Sequence, residues 1–218
     1  MNEAYAYTDA YFAERERSPT FALELHAIKR ELARHGALSG CVLEVGAGSG
    51  ALARSCAPQS RMWIAADRDL RFFSRHGLDG SASRPVICDA RHPPLTARSC
   101  DAVVAQHVIE HFRDPVRVLS EWAATLRRGG ICVLVTPNRL FPHLHWFDDP
   151  THYVLFSGEE LAALMEGAGF MRISVKRLVP WLGSDRAVYL SARLQRWVPG
   201  ALDFTRDPSL SLLAVGSL

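Results

Sequence analysis

Val42-Leu-Glu-Val-Gly-Ala-Gly-Ser-Gly50 joins an apolar run to three glycines set two apart. Cys41 to Val45 reads as a short strand buried on both faces, because its apolar residues are nearly continuous rather than alternating. Gly46, Gly48 and Gly50 let the chain turn tightly and let its backbone come close to a ligand. A helix is expected next, from Gly50 to Ala57, stopped by Pro58. Strand, glycine turn and helix in that order open a parallel α/β sheet.

The alternation continues outward. Met62 to Ala66 reads as a strand and Asp69 to His76 as a helix; Pro85 to Cys88, Asp101 to Ala105 and Ile131 to Thr136 are three more strands. Asp114 and Pro115 start a helix, with Arg127 and Arg128 in its last turn and Gly129-Gly130 as its stop. Ser157-Gly-Glu-Glu160 has the spacing of a capping box and opens a helix to about Ala168. Phe170 to Leu178 and Leu210 to Val215 supply two further strands. Upstream, Phe21, Leu25, Ile28 and Leu32 recur at helical spacing over Thr20 to His35. The pattern predicts one α/β domain, a Rossmann-like sheet with helices on both faces. Ligands on such sheets bind beyond the carboxyl ends of the strands.

Composition agrees. Over 218 residues, 48% are hydrophobic and 22% charged, which is enough to bury a core and excludes a disordered chain. A net charge of +2 with scattered arginines gives no phosphate-tracking stripe, so nucleic acid is not the expected partner. No stretch reaches the ~18 apolar residues of a membrane span, and the N-terminal residues lack the apolar run of a signal peptide. The five cysteines, none in a CxxC pair, fit a reducing cytoplasm and no zinc site.

The glycine turn alone fits two ligand classes. Gly46, Gly48 and Ala51 satisfy the dinucleotide pattern G-x-G-x-x-[G/A]. Glu44, placed at the mouth of the turn, would repel a pyrophosphate and favour a cation. Asp67 ends the second strand roughly 20 residues on, where an acid grips a ribose diol. Asp89 follows the third strand and could accept a hydrogen bond from an adenine amino group. No Lys-Ser or Lys-Thr follows the turn, which excludes a P-loop.

Taken in order, these residues resemble the class I S-adenosylmethionine-dependent methyltransferases, over about Leu38 to Phe170 and the final strands. Glu44-x-Gly-x-Gly-x-Gly50 resembles the first motif, Asp67 the ribose-binding acid and Asp89-Ala90 the adenine-side position. Ser99 to His111, with Phe-Arg-Asp-Pro115 after it, resembles the fourth-strand motif; Leu126 to Gly130 and Val135-Thr-Pro-Asn138 resemble the segment around the fifth strand. Asp149-Pro-Thr-His152 and Phe156-Ser-x-Glu-Glu-Leu161 resemble a region of the ubiquinone-type, small-molecule branch.

The resemblance implies a seven-stranded, mostly parallel sheet with an antiparallel last strand. It divides the chain into an N-terminal helical lid over 1–36, a cofactor-binding core over 38–178 and a C-terminal insertion with the last strand over 179–218. Trp181 to Asp207 departs from the family pattern as a long segment on the substrate or partner side. The implied cofactor is S-adenosyl-L-methionine, leaving as S-adenosyl-L-homocysteine. Its expected site is Glu44, Gly46, Ala47, Gly48, Gly50, Asp67, Arg68, Asp89, Ala90, Gln106 and His107.

Methyl transfer from a sulfonium needs alignment and no metal; a hydroxyl acceptor is helped by a base. His152 is the leading base candidate, with His107 near the cofactor and His111 as a support residue. The loop from His143 to His152, with three histidines and two aspartates, has the residue types of a two-histidine, one-carboxylate site, but the expectation is that no metal binds. Tyr5, Tyr7 and Tyr11, with Trp146, Phe147, Tyr153 and Trp181, could line an apolar acceptor pocket. The expected enzyme is a cytoplasmic monomer or homodimer that methylates a small molecule, most plausibly at oxygen. A cofactor-binding regulator without turnover and an NAD(P)-dependent oxidoreductase are the alternatives.

Overall fold

Cys41–Val45 (β1) is buried on both faces, as a central parallel strand must be. The computed structural model describes residues 7–71, 73, 83–140, 149–178 and 211–218. The further strands are β2 (Met62–Asp67), β3 (Ser83–Ile87), β4 (Cys100–Gln106), β5 (Leu126–Pro137), β6 (Met171–Leu178) and β7 (Ser211–Ser217). They form one sheet in the order β3-β2-β1-β4-β5-β7-β6. The first five are parallel to one another, and β7 lies antiparallel between β5 and β6. The expected seven-stranded architecture is therefore present. The strand order reverses between β1 and β4, so a crevice opens at their carboxyl ends.

Among the described residues five α-helices cover the sheet: α1 (Asp9–Arg17), α2 (Pro19–Arg34), α3 (Ala51–Cys56), α4 (Pro115–Thr125) and α5 (Gly158–Gly167). Leu43, Val45, Val103 and Leu134 form a core with Leu119 and Trp122 of α4 and Leu161 and Met165 of α5. Val42, Trp63, Val104 and Val133 form a second core on the other face, with Ile28 and Leu32 of α2 and Leu52 of α3. The neighbours in sequence thus serve opposite layers, as the two-residue period of a strand requires.

Local signals hold at several helix ends. Asp114 accepts from Arg117 N at 3.2 Å, and Ser157 and Glu160 form both bonds of a capping box. One predicted boundary is wrong. The fourth helix stops at Thr125, and Leu126 to Gly130 are already strand, so Arg127 and Arg128 do not close a helix. Leu126 pairs with Cys100. The Arg127 guanidinium binds Asp101 at 2.9 Å, and Gly129 and Gly130 exchange hydrogen bonds with Leu218. Sheet pairing has overridden a local helix-stop signal. Asp69, Leu70, Arg71 and Phe73 are not helical. The rest of the helix expected there, the segment 181–207 and residues 141–148 lie outside the described residues.

Candidate functional site

The glycine turn after β1 is held by its backbone. Gly46 and Ala47 N–H both donate to Ala66 O of β2, at 2.8 and 3.1 Å. Gly46 has φ +71°, and a Cβ there would stand 2.3 Å from Val108 Cγ2 of the segment after β4. Gly48 has φ +52°, and a Cβ there would meet the Phe12 ring at 2.8 Å. Both positions need glycine for conformation and for space. Gly50, with φ +76°, leads into α3. Helix α1 crosses over this turn. Phe12 is buried against it, and Glu16 binds Arg54 at 2.9 Å and the Ser49 hydroxyl at 2.5 Å.

Asp67 stands at the carboxyl end of β2 beside the turn. Its carboxylate accepts from Gly48 N at 2.8 Å and from Asp69 N at 3.0 Å, and burial raises its pKa. A carboxylate held in this way beside a glycine-lined surface fits an adenosyl cofactor, whose diol offers donors and whose sulfonium is cationic. Arg68 follows it, exposed. Asp89 lies beyond β3, where Cys88 N donates to Asp67 O at 2.9 Å. Its carboxylate is held by Arg91, whose guanidinium and backbone N–H keep it ionised, with a pKa of about 2. Ala90 accepts from the Trp122 indole N–H at 2.7 Å.

Glu44 is not at the mouth of the site. It is buried below the turn and accepts from Trp63 Nε1 at 2.6 Å. Burial pushes its pKa up to about 8, so near neutral pH it is largely uncharged and does not repel a pyrophosphate. The folded chain binds this proton more tightly than an unfolded glutamate, whose ordinary value is 4.5. The stabilising contribution is therefore complete below about pH 4.5 and is lost as pH rises through about 8. Glu44→Gln keeps an acceptor for Trp63 and removes the titration. Its melting temperature is expected to match the parent's at pH 5 and to exceed it by on the order of 5 °C at pH 9 in differential scanning fluorimetry.

Beyond β4 lies a buried polar network. His107, with φ +56°, places Nε2 3.1 Å from Glu24 of α2 and Nδ1 3.4 Å from Glu110. Gln106 Nε2 donates to Glu24 at 2.7 Å, the Ser211 hydroxyl donates to Glu24, and the Thr136 hydroxyl donates to Glu110 at 3.0 Å. Burial alone would push the His107 imidazole down, but Glu24, aided by Glu110, raises it to about 9. Burial would likewise raise Glu24, but the charge and hydrogen bond of His107 hold it at about 2. His107 is thus an imidazolium facing two carboxylates, which suits it to holding this network together rather than to taking a proton. Gln106 is committed to the same network. Glu24 was not expected as a site residue. Its signal was an acid inside the apolar stripe of α2, between Phe21 and Ile28.

His111 and His152 meet in front of this network. The turn Asp149 to His152 is folded by Asp149, which accepts from Thr151 N at 2.8 Å and the Thr151 hydroxyl at 2.6 Å. Tyr153 N and Val154 N donate to Glu110 O, docking this segment on the 3-10 turn Ile109–His111. Thr151 O faces His111 Nδ1 at 3.0 Å, and the two imidazole rings lie 4.9 Å apart. A carbonyl can only accept, so Nδ1 of His111 carries the proton and Nε2 keeps a lone pair. Burial lowers the His111 pKa and favours this neutral form. His152 Nε2 lies 3.6 Å from Asp149. Tyr7 is half-buried here, its hydroxyl pushed up to about 12 by desolvation and by its anionic neighbours. Its ring lies 5.2 Å from Tyr11 and 5.8 Å from Phe12. His111 has the defined tautomer, and the His152 ring packs against it. His143, His145, Trp146, Phe147 and Trp181 fall outside the described residues.

Residues 13–175 match a methyltransferase domain family. A protein of Mycobacterium tuberculosis named a probable S-adenosylmethionine-dependent methyltransferase is 32% identical over 136 residues, covering 62% of this chain and 50% of that protein. The chain spans about half the length of such curated relatives. The ubiquinone biosynthesis O-methyltransferase of Parvibaculum lavamentivorans is 28% identical over 101 residues, covering 44% of this chain and 40% of its own. Among solved structures, an N-methyltransferase of Haemonchus contortus in complex with phosphomonomethylethanolamine and S-adenosylhomocysteine aligns with a TM-score of 0.69 at 18% identity. It covers 99% of this chain and 59% of that one, and so shares the fold. With its ordered motifs and its seven-stranded sheet, the chain belongs to the class I S-adenosylmethionine-dependent methyltransferases.

Proposed function

We propose that the protein transfers the methyl group of S-adenosylmethionine to a hydroxyl group of a small molecule. The observation that carries this reading is the adjacency of two unlike surfaces. Val108 touches Gly46 of the glycine turn, and the chain then leads within three residues to His111. A cofactor lying on the turn thus has its reactive end beside an imidazole of fixed tautomer.

In this reading Gly46, Ala47 and Gly48 approach the cofactor with backbone, and Asp67 accepts from the ribose diol. Asp89 and Ala90 border the adenine, with Arg91 sharing the Asp89 carboxylate. The cofactor supplies an activated methyl group on a positively charged sulfur. The protein aligns the acceptor oxygen with it, and His111 Nε2 takes the hydroxyl proton as the new O–C bond forms. Tyr7, Tyr11 and Phe12 of the N-terminal segment close over the site and exclude water. The scattered positive charge favours a small molecule over nucleic acid.

Calorimetric titration with S-adenosylhomocysteine, with NADH in parallel, tests this reading. Micromolar binding of S-adenosylhomocysteine and none of NADH is expected. Asp67→Ala removes charge-assisted bonds worth about 1.5–3 kcal/mol each and should weaken binding by about 100-fold. Preference for NADH, or no binding of S-adenosylhomocysteine, would overturn the proposal.

A further inference from the structure

We infer that the buried carboxylate of Glu110 makes this site select a cationic group at the reactive end of the cofactor, and so hold the sulfonium substrate more tightly than the neutral thioether product. The inference rests on the cofactor reading above and adds a charge preference to it. Glu110 lies two residues after Val108, whose side chain meets Gly46 of the glycine turn. One of its carboxylate oxygens and a ring nitrogen from each of His111 and His152 lie within 4.8 Å of one another. It therefore stands between the turn and the imidazole that faces the acceptor.

The charges of this enclosure do not cancel. Glu24 and Glu110 are both buried, and they share one imidazolium, His107, at 3.1 and 3.4 Å. Glu24 is the better served, since it also takes hydrogen bonds from Gln106 and Ser211. Glu110 takes one from the Thr136 hydroxyl, and its other oxygen, Oε1, makes none. Burial would raise the Glu110 pKa, but His107 holds it down, so the group stays ionised. Two further charges act here. The half-buried Arg15 of α1 bonds Tyr11 Oη at 3.5 Å and acts on Glu24 and His107; Asp149 acts on His111. Three carboxylates against an imidazolium and a guanidinium leave one negative charge in excess. A buried charge left so is costly unless a cation completes it.

Methyl transfer removes that cation. The O–C bond forms as the methyl–sulfur bond breaks, the bonding pair stays on sulfur, and the acceptor proton passes by way of His111 to water. The product therefore lacks the attraction that held the substrate. A unit charge acting over ~7–10 Å at an effective dielectric of about 20 changes affinity by about 15- to 50-fold.

Calorimetric titration with three ligands of similar shape tests the inference. They are S-adenosylmethionine, sinefungin, which carries an ammonium group in place of the sulfonium, and S-adenosylhomocysteine. The parent protein is expected to bind the two cations at least about 10-fold more tightly than the thioether. Glu110→Gln keeps the shape and an acceptor for Thr136. It should cut this preference at least about fivefold and leave S-adenosylhomocysteine affinity within about twofold. Arg15→Gln, at a half-buried position outside the network, removes a cation and should raise the preference about threefold, so the test stands even if Glu110→Gln does not fold. Asp67→Ala, by comparison, should weaken all three ligands alike. A parent without preference, a Glu110→Gln protein weakened equally for all three, or an Arg15→Gln protein whose preference does not rise overturns the inference and leaves the methyltransferase reading standing. No binding of any of the three ligands by the parent would instead overturn that reading.

Discussion

Glu24→Ala is expected to lower the unfolding midpoint by on the order of 10 °C, measured by calorimetry near neutral pH. The carboxylate sits in a wholly buried pocket and takes hydrogen bonds from Gln106 and Ser211 as well as the charge of His107. Alanine would leave a buried imidazolium opposed by Glu110 alone and two donors without their acceptor. Breaking a buried ion pair by removing one member costs about 3–5 kcal/mol. The pairing itself is checked by a double-mutant cycle. His107→Ala should cost less in the Glu24→Ala background than in the parent, because the charge left stranded by the first change is removed by the second. Additive costs would mean that the two groups stabilise the fold separately.

His111→Ala is expected to cut turnover by about 10²–10⁴-fold while leaving S-adenosylhomocysteine affinity within about twofold, the range over which a positioned base contributes. The assay is release of S-adenosylhomocysteine in the presence of an acceptor found by screening hydroxylated small molecules. His107→Ala should instead act through stability, because His107 is enclosed by carboxylates. A His111→Ala enzyme that retained full turnover would remove His111 from the chemistry.

The central strands were readable because burial on both faces leaves a plain mark. Cys41–Val45 matches the predicted strand at both ends, and the Ser157 capping box and the Asp114 N-cap were legible from single side chains. Leu126 to Gly130 was not. Two arginines and two glycines are a fair local helix ending, and only the distant partners Cys100, Asp101 and Leu218 make the segment a strand. Glu44 was misplaced for a related reason. Its position next to the glycines is local, but its environment is set by Trp63 on the neighbouring strand. The tautomer of His111 depends on one carbonyl, Thr151 O, brought to it by the fold.

The antiparallel insertion of β7 also constrains how the molecule can be made. Among the described residues strand β6 pairs with β7 alone, and β7 is bonded on its other side to β5. A nascent chain on the ribosome can assemble β1 to β5 early, but residues 171–178 must wait for residues 211–217 before they join the sheet. During synthesis the edge of β5 stays open, an unpaired and apolar row that invites mispairing. Glu24 of α2 likewise receives the Ser211 hydroxyl only when β7 arrives. Closure of the sheet and completion of the buried network beside the site are thus a single late event in the life of the chain.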